Sequence, residues 1–137
     1  MKVKTKRFLL FLMTIMIFGT TVCTASVIYC VANQTEYRDS AYSATKTTRD
    51  NSALLTVTSG PDRVYAPISS YVKQFTQEET TLKTNKTTLY TVCTNKKLYY
   101  DDPFVSTEAM GKEYRAYFQI LRYSRYTSVL VNGSLIP

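Results

Sequence analysis

The chain has no histidine and no tryptophan, and only four glycines, four prolines and three cysteines in 137 residues. Without histidine, the Ser-His-Asp and Cys-His arrangements of nucleophilic catalysis are excluded, as are histidine-ligated zinc sites. Few leucines or alanines recur at the spacing of an amphipathic helix, which argues against a helical bundle. Negative charge is missing from one end altogether, since no acidic residue precedes Glu36.

That end is informative. Lys2, Lys4, Lys6 and Arg7 precede an apolar run from Phe8 to Phe18, broken only by Thr14 and closed by Gly19. A cationic start, an apolar middle and small residues make the pattern of an export signal, residues 1–25. The positive end stays in the cytoplasm while the apolar helix enters the bilayer. Cys23 and Ala25 fit the small residues that signal peptidase reads, with Ser26 opening the mature chain. Thr24 and Ser26 form an equivalent site one residue on, and a cut after Ala32 would use Cys30. Because Ser26–Ala32 is again mostly apolar, the alternative is an uncleaved anchor running to residue 32. At about 1.5 Å per residue, a helix from Phe8 to Ala32 would span a bilayer. Val22 and Tyr29 stand where a lipoprotein box needs a small residue, so neither preceding position supports lipidation of Cys23 or Cys30.

The leader takes four of the seventeen basic residues and none of the ten acidic ones, so the remainder carries thirteen against ten, a net charge of +3. That suits solubility rather than binding to nucleic acid, and no nucleic-acid partner is expected. About 110 residues remain, the size of one domain. They hold all twelve tyrosines and abundant threonine and serine, residues that favour a pleated, half-buried backbone.

The expectation is an all-β fold, a small antiparallel β-sandwich of about six to eight short strands, behind an N-terminal signal or anchor helix. Residues 26–41 read as a polar N-terminal segment and residues 42–137 as a single β-sandwich domain. A first strand is expected near Tyr42–Thr48. Ala53, Leu55 and Val57 alternate as the inner face of another, ended by the turn Ser59–Gly60–Pro61–Asp62. Arg63–Ile68 and Ser70–Thr76 follow as short strands. Thr80–Thr84 and Thr87–Thr94 read as a hairpin about Asn85–Lys86. Asn95–Lys96–Lys97 reads as a turn before Leu98–Tyr99–Tyr100. The clearest alternation is Tyr114, Ala116, Phe118 and Ile120, then Thr127, Val129 and Val131, the pattern of a closing antiparallel hairpin. A helix through Met110, Tyr114, Phe118 and Leu121 is the alternative, opposed by Gly111 inside it.

The export leader, the Thr/Ser-rich early strands, Met110–Gly111–Lys112–Glu113–Tyr114 and the ending Val131–Asn132–Gly133–Ser134–Leu135–Ile136–Pro137 resemble small exported proteins of Gram-positive bacteria, some of them bacteriocin-like of the lactococcin 972 type. The resemblance covers roughly the last 90 residues, with Leu135 at a place where such proteins often carry tryptophan. It implies a β-sandwich and brings no catalytic residues.

Three groups of side chains invite a chemical reading. Cys30 and Cys93 would form one disulfide in an oxidising compartment, or, if Cys30 stays in a membrane helix, Cys93 is a small apolar residue. Glu78–Glu79 and Asp101–Asp102 are neighbours in extended chain, so they point apart instead of facing each other across a substrate, and read as turn residues. Lys96, Lys97, Tyr99 and Tyr100, with Arg122, Tyr123, Arg125 and Tyr126, interleave cations and aromatics as a surface-binding patch. Its target would be an anionic cell-envelope component or another surface protein. Against that stands a plainer reading, in which the tyrosines pack and the cations solvate an edge. No catalytic, cofactor-binding or metal-binding residue is expected, and no cofactor. Membrane contact is expected only through residues 8–32. The protein reads as secreted or on the extracellular face of the membrane: a non-catalytic interaction module, a secreted bacteriocin-like antimicrobial protein, or, with the leader uncut, an anchored accessory protein.

Overall fold

Period-two alternation decides which side chains meet in this chain. Between Glu113 and Ile120, Tyr114, Ala116, Phe118 and Ile120 are buried while Arg115, Tyr117 and Gln119 stay partly open. Between Ser52 and Ser59, Ala53, Leu55 and Val57 are buried in the same way. A computed structural model describes residues 25–76, 82–102, 107–121 and 124–137. Its strands are β1 (Ser26–Asn33), β2 (Arg38–Asp39), β3 (Ala44–Thr45), β4 (Ser52–Ser59), β5 (Ile68–Gln74), β6 (Thr87–Leu89), β7 (Cys93–Tyr99), β8 (Glu113–Ile120) and β9 (Ser128–Ile136), with one 3-10 turn at Thr107–Ala109.

Two antiparallel sheets share one core. Sheet A has the order β1-β9-β4-β7, and sheet B the order β2-β8-β5-β6, with β3 also on β8. Both β2 and β3 lie antiparallel to β8, at Phe118 and Tyr114 respectively, so they form one interrupted strand. Counted so, the two sheets have the strand order of a jelly roll. Ile28, Leu55, Val57, Val131 and Leu135 from sheet A pack on Ile68, Val72, Tyr114, Phe118 and Ile120 from sheet B.

Short segments clasp the sheets at both sides. On one, Ser40 N donates to Ala116 O in sheet B and Ala41 N to Tyr29 O in sheet A. On the other, Thr84 N donates to Val72 O and Asn85 N to Tyr99 O. Two glycines have a specific cause. Gly60, in the expected turn, has a φ of 115° that a side chain disfavours. Gly133 lies opposite Val57 between irregularities in β4, and a Cβ there would sit 1.9 Å from Thr56 O.

The structure corrects several expectations. Ser26–Asn33 is a strand paired along its whole length with β9, so residues 26–41 are no lead-in, an anchor helix does not run to residue 32, and a cut after Ala32 would remove β1. Residues 1–24 lie outside the described residues. No helix among the described residues is long and apolar enough to cross a membrane. Near Tyr42–Thr48 only Ala44–Thr45 is strand. Arg63–Ile68 is mostly a turn, closed by paired hydrogen bonds between Asp62 and Ala66, because Asp62 Oδ1 accepts from Val64 N and Tyr65 N.

Two expected hairpins do not form. β6 pairs with β5, while Lys83 and Thr84 bridge to Lys73 and Tyr100; Thr80 and Thr81 lie outside the described residues. β8 and β9 alternate as expected, but they enter different sheets. Alternation specifies a strand's buried face without naming its partner. Asn95–Lys96–Lys97 lies within β7, where Asn95 absorbs the irregularity at a φ of 48°. The Tyr114–Ile120 stretch is strand, as read from Gly111 and the alternation.

Candidate functional site

The residues expected to form a patch of interleaved cations and tyrosines fall on different elements. Lys96, Lys97 and Tyr99 are exposed on β7, an edge strand of sheet A. Tyr100 is buried, because alternation past Tyr99 returns it to the inner side with Leu98. Arg125 and Tyr126 belong to the β8–β9 connection, where both contact Tyr65. Arg122 and Tyr123 lie outside the described residues. Lysines on an exposed edge discourage pairing with another chain, which accounts for Lys96 and Lys97.

Cys30 and Cys93 are both unpaired. They lie on β1 and β7, the opposite edges of sheet A. Three strand spacings of about 4.8 Å put them roughly 14 Å apart, well beyond disulfide reach. The Cys30 thiol donates to Arg38 O and is pushed up to about 11, first by burial and then by Asp39, against a smaller opposing effect of Arg38. Burial likewise raises Cys93. Neither thiol is activated.

Chemistry-bearing side chains gather instead on the outer face of sheet B. Lys73 on β5 lies directly opposite Arg115 on β8, and on its other side bridges to Lys83. Three cations therefore stand in register across neighbouring strands, about 5 Å apart at the backbone. Like charges placed so are destabilising. Of the three, only Arg115 has an acidic partner among the described residues, Asp39 on β2, at 2.5 Å. The Arg115 guanidinium also lies 3.6 Å from the Phe75 ring centre.

A tyrosine row runs beside the cations. Asp39, Tyr117 and Tyr71 are register partners across β2, β8 and β5. Tyr71 and Tyr117 stack with centroids 5.0 Å apart and planes at 10°. Tyr37 reaches over the sheet to set its edge on Tyr71, with its hydroxyl 2.7 Å from Ser69 Oγ. Lys86 Nζ lies 4.5 Å from the Tyr37 ring centre and 5.7 Å from that of Tyr71. Burial raises Tyr71, with Tyr37 adding. Tyr117 is raised by burial first, then by Asp39 and Tyr71, against Arg115. These phenols are therefore neutral donors rather than nucleophiles.

Sequence reasoning found part of this face. Tyr71, Lys73 and Phe75 fall at alternate positions of the expected strand Ser70–Thr76, and Arg115 and Tyr117 fall between the alternating positions Tyr114 to Ile120. Tyr37, Lys83 and Lys86 carried no local signal. Asp101 behaves as a turn residue, its carboxylate accepting from Lys83 N; Glu78 and Glu79 lie outside the described residues. Among the described residues no three His, Cys, Asp or Glu side chains could jointly hold a metal ion. A scan against protein-family models matches none, and searches of curated proteins and of solved structures return no match.

Proposed function

We propose that the protein is a small exported or cell-surface β-sandwich interaction module, without catalytic activity, that recognises an anionic polymer of the cell envelope through the outer face of sheet B. The observation that carries this reading is the in-register row Arg115–Lys73–Lys83. Asp39 and the Phe75 ring engage Arg115, but a fold gains nothing from setting Lys73 and Lys83 side by side, whereas a linear anion laid across the strands would neutralise them. The tyrosines beside the row add aromatic surface and neutral phenols suited to sugar or polyol units. The export leader supplies the compartment.

The test is binding of a soluble poly(glycerol phosphate) and a soluble polygalacturonate to the full chain, followed by titration calorimetry at rising salt. Binding to one or both should weaken with salt. Lys73→Gln and Lys83→Glu should each weaken it about tenfold, while Lys96→Glu on the far sheet should change it less than about twofold. The two polymers separate phosphate from carboxylate recognition. Absence of binding to both, or equal weakening by Lys96→Glu, would refute the reading. Growth inhibition of related strains without polymer binding would move it to an antimicrobial protein.

A further inference from the structure

The two ends of the sandwich differ in the side chains they present. Strand register brings the β1–β2, β4–β5, β6–β7 and β8–β9 connections out at one end. There Asn33 lies opposite Ser128, Val57 opposite Cys93, and Ile68 opposite both Leu89 and Ile120. The β3–β4 and β7–β8 connections leave at the other end, where Asp50, Asp101, Asp102 and Glu108 mix with Arg49 and Lys112. The four connections of the first end hold two acids, Glu36 and Asp62, and both are engaged. Glu36 pairs with Arg38 at 2.7 Å, and Asp62 Oδ1 accepts from Val64 N and Tyr65 N at 2.8 Å. Arg63 and Arg125, by contrast, have no acidic partner among the described residues.

Polar side chains at this end hold the connections to one another. Gln34 Nε2 donates to Ser124 O at 3.0 Å and to Tyr126 O at 2.9 Å. Ser124 Oγ donates to Tyr65 O, and so does Arg125 N, at 3.1 Å. Apolar side chains stand outward instead: Val64 is 67% exposed, Val92 53%, Tyr126 52% and Tyr90 48%. Tyr65 and Tyr126 meet edge to face at 6.1 Å, with the Arg125 guanidinium 5.4 Å from the Tyr65 ring centre.

We infer that this end of the sandwich seats on an anionic lipid surface. Val64 enters the headgroup boundary, Tyr65 and Tyr126 lie at its level, and Arg63 and Arg125 meet the lipid phosphates. Charge complementarity argues for that partner, because the two arginines lack acids of their own and an anionic surface supplies them. Tyrosine suits the same depth, its ring being apolar and its hydroxyl wet. Shape agrees, since Val64 sits in mid-turn between the hydrogen-bonded residues Asp62 and Ala66. A projecting turn sinks into a soft surface, whereas a rigid protein partner needs a recess to receive it. The contact is separate from any made by residues 8–18. Ser26 is at the far end of β1, roughly 24 Å from Asn33 at about 3.4 Å per residue.

The chain has no tryptophan, so Val64→Trp in the full chain gives a single local reporter, read with brominated-lipid vesicles. Its fluorescence should shift to the blue and be quenched on phosphatidylglycerol vesicles, and about fivefold less on phosphatidylcholine. Added salt should reverse the effect. Replacing both arginines, Arg63→Gln with Arg125→Gln, should weaken the binding about tenfold, while Lys73→Gln changes it less than about twofold. Val27→Trp, at the other end of β1, reads insertion of residues 8–18 on its own. Tyr126→Trp repeats the reading should Val64→Trp fail to fold. No quenching at position 64, quenching at position 27 alone, or equal quenching by neutral vesicles would overturn the inference. Loss of binding with Lys73→Gln but not with the arginine pair would transfer the contact to sheet B and also overturn it. Polymer binding to sheet B is measured without lipid, so failure here leaves that reading standing.

Discussion

Lys46 Nζ lies 4.7 Å from the centre of the Tyr100 ring, and both side chains are buried. Nζ also donates to Asp50 O at 2.9 Å, bracing the segment between β3 and β4 beneath the ring that follows β7. The Tyr100 hydroxyl has no hydrogen-bond partner among the described residues. The ring, rather than the hydroxyl, is then what the fold uses. Tyr100→Phe should be neutral or stabilise by up to about 1 kcal/mol, since it removes an unsatisfied buried group. Lys46→Ala should cost about 2–4 kcal/mol through lost packing and the lost cation. Urea denaturation of the two variants checks this, and a greater loss from Tyr100→Phe would contradict it.

High pH should destabilise the fold through the same region and through β1. Burial pushes Cys30 up to about 11 from an ordinary 9.0, and Tyr114 up to about 12 from 10.0. Tyr100 is also raised, by burial and then by Tyr114. The folded chain holds these protons more tightly than the unfolded chain does. Their contribution is thus whole below about pH 9 and is lost as pH rises through the folded values. The melting temperature should be flat up to about pH 9, decline beyond it, and fall more steeply past about pH 10. Cys30→Ala should remove the earlier part of the decline. A melting temperature constant to about pH 11 would contradict the assignment.

Thiol chemistry should be silent under oxidising conditions. With Cys30 and Cys93 on opposite edges of sheet A, adding a reductant should change neither the melting temperature nor the mass. In the folded protein Cys93 should react with a maleimide faster than Cys30, which is buried and more strongly raised. A reductant-dependent melting temperature would overturn this.

Contrasts within β8 test the core. Phe118→Ala should cost about 3–5 kcal/mol and Ala116→Glu should prevent folding, both being fully buried. Tyr117→Ser should cost about 1 kcal/mol, because its ring stacks on Tyr71 instead of standing free. Gln119→Ala should cost a similar amount, its amide donating to Gln34 O at 3.1 Å. Chemical denaturation would refute the assignment if Tyr117→Ser proved more damaging than Phe118→Ala.

Gly133→Ala should be among the most damaging small substitutions, at about 3 kcal/mol, because the new methyl meets backbone rather than a yielding side chain. Gly111→Ala meets nothing within 4 Å but must hold a φ of 71°, so its loss should be nearer 1 kcal/mol. Equal melting temperatures for the two variants would contradict this.

Strand faces were legible in the chain because alternation is local. Ala53, Leu55 and Val57 announce the inner side of β4, and Tyr114 to Ile120 that of β8. Pairing was not legible, since it depends on where the chain goes next. Thr127 to Val131 alternates as a hairpin partner of β8 would, yet it closes sheet A. β1 was hidden because Val27, Ile28, Val31 and Ala32 prolong the apolar character of Phe8–Phe18, and an apolar run alone does not distinguish strand from membrane helix. The cation row joins Lys73, Lys83 and Arg115, of which two lie ten residues apart and the third far downstream. The patch read from Lys96 to Tyr126 assumed that like sequence neighbourhoods share a surface, and the buried Tyr100 shows why they need not.

β9 lies between β1 and β4, so the last strand of the fold separates and joins two of the earliest. Until its residues emerge from the ribosome, β1 has no ladder and β4 is paired on one side only. Sheet A cannot close before β9 is made, because its closure rests on distant contacts such as that of Ser26 with Leu135, the slowest kind to form. The order of synthesis thus holds β1 as an unpaired edge for as long as β9 is missing, and the fold locks in one late step.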